Sequence, residues 1–424
     1  MPNPARLIAV ALVCTFASPL AGQVSYPTKF SPAVAERADV KQALAFIDER
    51  FDRQVVEWIG VTEIPAQSTH EEKRAAYVKT ELEKLGLTVS IDGIGNVMAR
   101  RPGTGGGPTV VFAAHMDTVH PMDTNLTVTR KPDNTLHAPG VFDNSASVVD
   151  LLQTARALDA AKVKTDGDLI FLFTVQEELG LKGMYYWVDH NPKAADMIVA
   201  IDGALGPVSY GALGIYWSKM TFTAEGSHTN TSRGKPNPAR AAAQCITDIY
   251  TIPLPDPNAP VSAVYNVGGM MTAGNVVNAI PQAVTFTVDL RTIDADLLKS
   301  LDAAIVGRCE AAAASQKVGF TREYIQKSEA GGRPDQLTDR RAHPIVQTAI
   351  DVLRYLNVKM PAGGEAVATG STDANVGVVR GIPSIAIGRA LGSEQHTLQE
   401  WAESTSARPA TKQLILLAVA LTGR

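Results

Sequence analysis

Hydrophobic and polar positions follow two different periods along the first half of the chain. The segments KQALAFIDERFDRQVVEWI (41–59) and EEKRAAYVKTELEKLG (71–86) place apolar residues three and four positions apart, which predicts amphipathic helices. The runs TVVFAA (109–114), DLIFLFTV (168–175) and DMIVAI (196–201) are short and continuously apolar, as in strands that are covered on both faces. This alternation predicts an α/β fold with a doubly wound, mostly parallel sheet.

The pattern changes between residues 210 and 327. There it indicates a strand, a helix, two strands, a helix and a strand, an order that predicts a ferredoxin-like βαββαβ sandwich. Helix and strand alternation resumes after it, so the chain leaves the larger domain and returns to it. We call residues 40–209 and 328–424 the main domain, and residues 210–327 the inserted domain.

The first 22 residues have the pattern of an export signal. Arg6 precedes the apolar run LIAVALVCTFA (7–17), and small and turn residues follow it. This run is too short to cross a bilayer. We therefore expect a protein that is exported to the periplasm or secreted and is free of the membrane after signal removal; a buried N-terminal helix is the alternative.

Removal of the signal would leave Cys245 and Cys309, which either pair in an oxidising compartment or remain two buried thiols. Composition narrows the function classes further. With 424 residues, 45% of them hydrophobic, the chain is globular and long enough for two domains. A net charge of −4 and the lack of a basic stripe with interleaved aromatic residues argue against a nucleic-acid partner.

Residues that can bind metals follow the predicted strands of the main domain. His115 and Asp117 come after the first apolar run, Glu177 and Glu178 after the second, and Asp202 after the third. Each has an ordinary alternative as a polar strand end, a solvated loop or a turn. Ligand sites in open α/β sheets gather at the carboxyl ends of strands, so these positions favour a common site.

Two more candidates extend this set. Asp143 stands directly before a predicted helix, and its ordinary alternative is to be the N-cap of that helix. His396 follows the apolar segment PSIAIG, and its ordinary alternative is to be a surface residue. Two histidines and three carboxylates suit two divalent ions, zinc first, with cobalt or manganese as substitutes. Three carboxylates nearly balance two such ions and leave a residual positive charge that can acidify water.

The adjacent glutamates need different roles because neighbouring residues of an extended chain point in opposite directions. One of them can bind a metal while the other faces the open site. The second would be a general base that takes a proton from water and passes it to a leaving amine.

Five motifs together resemble the dinuclear zinc peptidase and deacylase family, which includes peptidase T, aminoacylase, glutamate carboxypeptidase and succinyl-diaminopimelate desuccinylase. They are HMDTVHP, GVFDNSAS, QEELGLKG, AIDG and EQHTLQE, in this order and interrupted by the βαββαβ insert. The resemblance covers essentially the whole chain after the signal. It implies that Glu177 is the general base, that Asp117 orients His115, and that Asp143 bridges two metals. The implied metal ligands are His115, Asp143, Glu178, Asp202 and His396.

The same resemblance assigns residues outside the metal cluster. His228, in EGSHTN, would reach across a homodimer formed through the inserted domain and polarise the substrate carbonyl. Asn278 and Arg291 would bind substrate, and Arg291 suits a carboxylate. Ser371 and Thr372, in the loop GSTDAN, would line the pocket. Read without the family, His228 is a surface residue and Arg291 part of a strand-end ion pair.

The resemblance implies a metal-dependent exopeptidase that hydrolyses the N-terminal peptide bond of short peptides. Aspartate at position 202 accompanies aminopeptidases in this family, while glutamate accompanies carboxypeptidases and deacylases. A carboxypeptidase or an N-acyl-amino-acid deacylase with the same site is the alternative. A binding protein without catalysis is a further one, although it would have no need of Glu177.

Overall fold

The computed structural model describes residues 26–272, 276–331 and 334–423. The predicted export signal at residues 1–22 lies outside them. Within the described residues the fold is α/β, as the sequence predicts, with a large mixed sheet and a smaller inserted one. Among the helices of these ranges, none combines the length and the apolar character that a membrane crossing requires.

The chain before the inserted domain supplies most of the large sheet and its covering helices. Its elements are α1 (Pro32–Glu36), α2 (Ala38–Thr62), α3 (Glu72–Glu83), β1 (Val89–Ile91), β2 (Val97–Arg101), β3 (Val110–His115), β4 (Thr129–Arg130), β5 (Thr135–His137), α4 (Ala146–Ala160), β6 (Leu169–Thr174), α5 (Lys182–His190), β7 (Met197–Ile201) and β8 (Val208–Ser209).

The inserted domain and the return of the chain supply the rest. The inserted elements are β9 (Gly214–Thr223), β10 (Ser227–His228), α6 (Pro238–Ile249), β11 (Ala263–Thr272), β12 (Ala279–Ile280), β13 (Ala283–Thr292), α7 (Ala295–Gln316) and β14 (Gly319–Ser328). The elements after them are α8 (Pro334–Ala342), α9 (Pro344–Tyr355), β15 (Ala366–Val367), α10 (Ala374–Val379), β16 (Ser384–Ile387), β17 (Leu391–Ser393), β18 (Trp401–Glu403) and α11 (Ala407–Thr422).

The large sheet has the strand order β1-β2-β6-β3-β7-β16-β8-β15. Its centre is parallel: β3 pairs with β6 and β7, and β7 pairs with β16. Antiparallel pairs occur towards the edges, between β1 and β2, β2 and β6, and β8 and β16. The carboxyl ends of β3, β6 and β7 therefore meet at one edge of the sheet.

Both faces of this sheet are covered, which explains why its central strands are continuously apolar. Val110, Phe112 and Ala114 of β3 join the core built with α2, α4, α9 and α11. Val111 and Ala113 point the other way and pack in the core that includes residues of α5 and α10. Each of β3, β6 and β7 is buried along its whole length, so the three strands hold their ends rigidly in place.

The inserted sheet has the order β11-β13-β9-β14, and every neighbouring pair is antiparallel. This is the ferredoxin-like arrangement that the βαββαβ pattern predicts. One face packs on α6 and α7 around Phe222 and Phe286, and Cys245 of α6 forms a disulfide with Cys309 of α7. The opposite face carries Trp217 and Arg291 and is not covered by these helices.

Candidate active site

Three parallel strands carry the candidate metal-binding residues to one point. His115 is the last residue of β3, Glu177 and Glu178 follow the end of β6, and Asp202 comes directly after β7. Because β3 lies between β6 and β7 in the sheet, the three strand ends are neighbours. Asp143 joins them from the turn before α4.

His115 stands at the centre of this group. Its Nε2 lies 3.2 Å from Oδ1 of Asp143, 3.9 Å from Oδ2 of Asp202 and 4.0 Å from Oε2 of Glu177. Two sets of donor atoms share this histidine, one with Glu177 and Asp202 and the other with Asp143 and Glu178. Within each set the donor atoms lie within 4.8 Å of one another.

His396 approaches the same cluster from the loop after β17. Its Nε2 lies 3.2 Å from Oε1 of Glu178 and 3.5 Å from Oδ2 of Asp143. Asp143 therefore presents one carboxylate oxygen to His115 and the other to His396. This is the arrangement that a carboxylate shared between two metals requires.

Asp117 fixes several members of the cluster at once. Its Oδ1 lies 3.3 Å from Nδ1 of His115. It also accepts hydrogen bonds from the backbone N–H groups of Glu177 and Glu178, at 3.0 and 3.1 Å, and from the hydroxyl of Ser68 at 2.7 Å. The side chain is fully buried, so it orients the imidazole and holds the two glutamates in position together.

Charge is strongly concentrated in this site before a metal binds. Burial opposes the charged form of His115, yet Glu177, Asp117 and Asp143 together hold the pKa of the imidazole well above its ordinary value. Burial raises the pKa of the Glu177 carboxyl well above its usual range; His115 opposes this shift, while Asp202 and Glu178 add to it. Buried carboxylates in such number need cations around them.

The bridging position shows the opposite shift. Burial alone would raise the pKa of Asp143, but Arg389, His115 and His396 outweigh it and hold that pKa well below its usual range. Hydrogen bonds to Asp143 and Glu178 raise the pKa of His396 to about 10. Asp143 is thus ionised and available to a metal over the whole neutral range.

A cavity of about 310 Å³ separates this cluster from the inserted sheet. On the metal-binding side it is lined by Asp143, Glu177, Glu178, Asp202 and His396. The inserted domain contributes Ile215, Trp217, Arg291 and Gln326, and Ser371 closes one side. The guanidinium of Arg291 lies 5.9 Å from the ring centroid of Trp217 and pairs with Asp289 at 2.9 Å.

Three other predicted residues lie away from this lining. His228 is exposed on the ribbon formed by β10 and β12, where its Nε2 lies 3.3 Å from the amide nitrogen of Asn278. The cavity lining includes neither of them. Thr372 is buried behind Ser371, and its hydroxyl accepts a hydrogen bond from the backbone N–H of Ala374 at the start of α10.

Two residues that the sequence reasoning passed over support the cluster from behind. Glu400 is buried and accepts hydrogen bonds from the backbone N–H groups of Gly140, Phe142 and Asp143 at 2.7–2.8 Å, which fixes the turn that carries Asp143. Arg389 is also buried and contacts the carboxylates of Asp143 and Asp202. Arg389 comes two residues after β16, so the strand-end criterion that found Asp202 would have found it as well.

The donor set fits two zinc-like ions. Donor atoms that share one zinc at about 2.0–2.2 Å lie about 3.3–3.6 Å apart in tetrahedral geometry, close to the separations around Asp143. Oδ1 of Asp143 and Oε1 of Glu178 are both buried, and each lies 3.2 Å from an imidazole nitrogen, of His115 and His396 respectively. Imidazole nitrogens and carboxylate oxygens are the ligands that zinc, cobalt and manganese accept.

Comparisons with known proteins agree with this geometry. Carboxypeptidase G2 of Pseudomonas sp. (strain RS-16) is 24% identical over 319 residues, 74% of this chain and 73% of the relative. A tripeptidase from Staphylococcus aureus superposes with a TM-score of 0.71 at 19% identity, over 88% of this chain and 98% of its own. A dinuclear metal binding peptidase of Bacillus subtilis gives 0.62 at 16% identity, over 88% and 99%. At these identities the two structures show a shared fold.

A family model also matches most of the chain. The model described as peptidase family M20/M25/M40 matches residues 111–419, a range that begins in β3 and ends in α11. It includes the metal-binding cluster and the whole inserted domain. The chain therefore belongs to peptidase family M20/M25/M40 and is a metal-dependent amide-bond hydrolase.

Proposed function

We propose that the protein is an exported aminopeptidase that uses two zinc ions to hydrolyse the first peptide bond of short peptides. The observation that carries this proposal is the cavity between the carboxylate cluster and the inserted sheet. A volume of about 310 Å³ suits a few residues rather than a folded chain. Metal-binding groups form one wall and Arg291 belongs to the opposite one, so a short peptide would be held at both ends.

The chain's own residues divide the work in this proposal. His115, Asp143 and Asp202 would hold one ion, and Asp143, Glu178 and His396 the other. The ions would supply Lewis-acid polarisation of the scissile carbonyl and an acidified water. Glu177 would receive the proton of that water at its carboxylate and deliver it to the amine nitrogen as the C–N bond breaks.

Arg291 supports a limit on substrate length. Its Nε and Nη2 are paired with Asp289, at 2.9–3.1 Å, which leaves Nη1 outside this pair. An arginine held in this way can present its remaining donors to the terminal carboxylate of a peptide. A di- or tripeptide would reach from Arg291 to the metals, whereas a longer chain would not fit between them.

Asp202 supports the direction of attack. Its carboxylate is shorter than that of glutamate, and it leaves more room beside the metal on the His115 side. A free α-amino group of a substrate would fill that room. This argument is modest in energy, because only one methylene distinguishes the two side chains.

The position of His228 supports a homodimer. This residue and Asn278 lie together on an exposed ribbon of the inserted domain, away from the cavity of their own chain. A second subunit that docks through its inserted domain would bring its own His228 to the open side of the cavity. There the imidazole would polarise the substrate carbonyl from the side opposite the metals.

A carboxypeptidase or N-acyl-amino-acid deacylase is the second candidate, and Arg291 is the observation that favours it. The same guanidinium would hold the carboxylate of a C-terminal residue or of an acylated amino acid. Carboxypeptidase G2, a relative of this chain, carries the name of such an activity.

The test compares a tripeptide with its N-acetylated form under saturating zinc. The aminopeptidase proposal expects release of the first residue from the free tripeptide and at least tenfold slower cleavage of that bond in the blocked peptide. Equal or faster cleavage of that bond in the blocked peptide would overturn the aminopeptidase proposal, and release of the C-terminal residue or of acetate would establish the carboxypeptidase or the deacylase alternative. Addition of a chelator is the control, because it should abolish either activity.

A further inference from the structure

Arg389 is neither a metal ligand nor part of the cavity lining, so the proposed function assigns it no role. It follows β16 in the centre of the large sheet and is fully buried. Its guanidinium lies 4.2 Å from the ring centroid of Phe142, which covers one face of it. An arginine is rarely buried unless it is paired, so its partners identify its role.

The partners of Arg389 are two of the residues assigned here to the metals. Its Nη1 donates a hydrogen bond to Oδ1 of Asp202, and its Nη2 lies 3.2 Å from Oδ1 of Asp143. The other oxygen of Asp202, Oδ2, points to His115 and lies 3.9 Å from its Nε2. The two oxygens of Asp202 are therefore used differently: the guanidinium holds one, and the other remains for a metal.

The guanidinium also offsets part of the negative charge of the cluster. Asp143, Glu177, Glu178 and Asp202 line one small cavity, and at close range like charges repel one another strongly. Arginine keeps its proton at every pH that a protein survives, so Arg389 is a permanent cation. Its planar fork reaches two carboxylates at once, which an ammonium group on a flexible stem does not do with the same geometry.

We propose that Arg389 is a positioning residue of the metal centre. It holds Asp202 so that a single oxygen, Oδ2, faces the ion on the His115 side, and it keeps Asp143 beside it before any metal arrives. This inference rests on the metal site of the proposed function, although not on the direction of peptide cleavage. It predicts that the charge of Arg389 alone is insufficient and that its shape matters.

The experiment measures metal affinity rather than turnover. Metal-free wild-type protein and the variants Arg389→Met and Arg389→Lys are titrated with Zn²⁺ in competition with a chromophoric chelator. Loss of a group that orients metal ligands typically lowers affinity about 10- to 100-fold. We expect a loss of this size for one of the two ions in Arg389→Met. In Arg389→Lys we expect a smaller loss that is still several-fold.

Three outcomes would overturn the inference. Equal or tighter zinc binding by Arg389→Met would show that the guanidinium only repels the ions. Wild-type affinity in Arg389→Lys would reduce its role to charge balance. Wild-type protein that binds no divalent ion would remove the metal site itself, and the proposed function would fail before this inference is reached.

A matched variant controls for the loss of one arginine from the main domain. Arg101 ends β2 and donates a hydrogen bond to the backbone oxygen of Val163, away from the cluster. Arg101→Met should bind both ions as wild type does. Cooperative thermal unfolding of each variant, followed by circular dichroism, shows that the titrated protein is folded; if Arg389→Met does not fold, Arg389→Lys alone decides between shape and charge.

Discussion

The strand ends of the main domain and the open face of the inserted sheet both contribute to the cavity, but they do so in different ways. In the main domain, His115 lies within 4 Å of Asp143 and of Asp202, and the strands that end beside His115 and Asp202 are fully buried. On the inserted domain, Arg291 reaches the cavity while His228 stays outside it. The main domain brings its predicted metal-binding residues together in one chain, whereas the inserted domain brings Arg291 but not His228 to the cavity.

This difference follows from what fixes each region. The order β6-β3-β7 forces the three strand ends together wherever the rest of the chain goes. The inserted sheet is folded just as firmly around its own core, but its place over the cavity depends on the connections near residues 210 and 328. Residues of the first region should therefore govern chemistry and metal binding, and residues of the second should govern substrate binding and assembly.

The largest expected effect separates the two glutamates after β6. Glu177→Gln should retain both metals and lower kcat by about 10²- to 10⁴-fold, since general-base catalysis is typically worth this much. Glu178→Gln should instead weaken metal binding, because Glu178 lies beside His396 and Asp143. Metal content by elemental analysis and turnover of a tripeptide are measured for each variant.

The structure makes this a real test, because Glu177 belongs to a possible donor set with His115 and Asp202. Loss of metal in Glu177→Gln together with retention in Glu178→Gln would reverse the two roles. Each variant differs from wild type by the same isosteric change at neighbouring positions, so each serves as the control of the other.

His228 provides the most direct test of the difference between the main domain and the inserted domain. Loss of a donor that stabilises a developing oxyanion typically costs about 10²- to 10³-fold in kcat, and we expect His228→Ala to fall in this range. Mixing His228→Ala with Glu177→Gln subunits should then restore activity, because a hybrid dimer has one site with both groups intact. Hybrid dimers that form and remain inactive would contradict a role in the partner's site.

Sequence pattern was sufficient for the parts of the fold that local periodicity controls. It predicted the parallel centre of the large sheet, and it predicted the βαββαβ insert, whose strand order is ferredoxin-like. The sequence leaves the pairing of Cys245 with Cys309 as one of two alternatives, since this disulfide depends on how α6 packs on α7. The residues that flank each cysteine in the sequence do not predict how these two helices pack.

In the candidate site as well, local sequence predicts some residues, and others depend on contacts between distant parts of the chain. The donors after β3, β6 and β7 can be found because each directly follows an apolar run that predicts a strand. Asp143, before a predicted helix, and His396, after PSIAIG, extend that group. Arg389 also follows a strand, but a search for metal donors leaves out arginine, and Glu400 acts on backbone groups that are distant in sequence. Trp217 gives no signal at all, since an aromatic residue in a strand normally belongs to a core.

A smaller effect is expected at Arg291, where substrate binding should change and chemistry should not. Charge-assisted hydrogen bonds are worth about 1.5–3 kcal/mol, which corresponds to a rise in KM of roughly 10- to 100-fold for Arg291→Met with kcat little altered. A peptide with an amidated C-terminus should show almost no difference between variant and wild type. Arg322→Met is the matched control, because Arg322 pairs with Asp302 of α7 and lies outside the cavity lining.

A change in kcat without a change in KM would place Arg291 in the chemistry and remove the distinction between the two regions. An equal effect on the amidated peptide would show that Arg291 holds the inserted sheet, through Asp289, rather than the substrate carboxylate.

The smallest effect concerns a buried carboxylate, Asp150, that is held by hydrogen bonds. Asp150 of α4 accepts hydrogen bonds from Gln54 and Thr411, each at 2.8 Å. Burial raises its pKa well above the ordinary value, and these two bonds oppose the shift without cancelling it. Unlike Asp143, it contacts no imidazole or guanidinium among the described residues, so the folded protein favours its neutral form.

The sign of the resulting pH dependence is fixed by this shift. Below about pH 4 the carboxyl is protonated in both the folded and the unfolded chain, so its ionisation does not change the free energy of unfolding. As the pH rises above that value, the unfolded chain releases the proton first, so the free energy of unfolding falls by at most about 1.4 kcal/mol per pH unit until the raised folded pKa is reached. Asp150→Asn removes this dependence, and its advantage over wild type should grow from about pH 4 upwards until the raised folded pKa is reached. Denaturant unfolding at several pH values measures the difference, with the exposed Asp123→Asn as the control for loss of one charge. A constant difference between Asp150→Asn and wild type across the pH values measured would mean that Asp150 is ionised in the core.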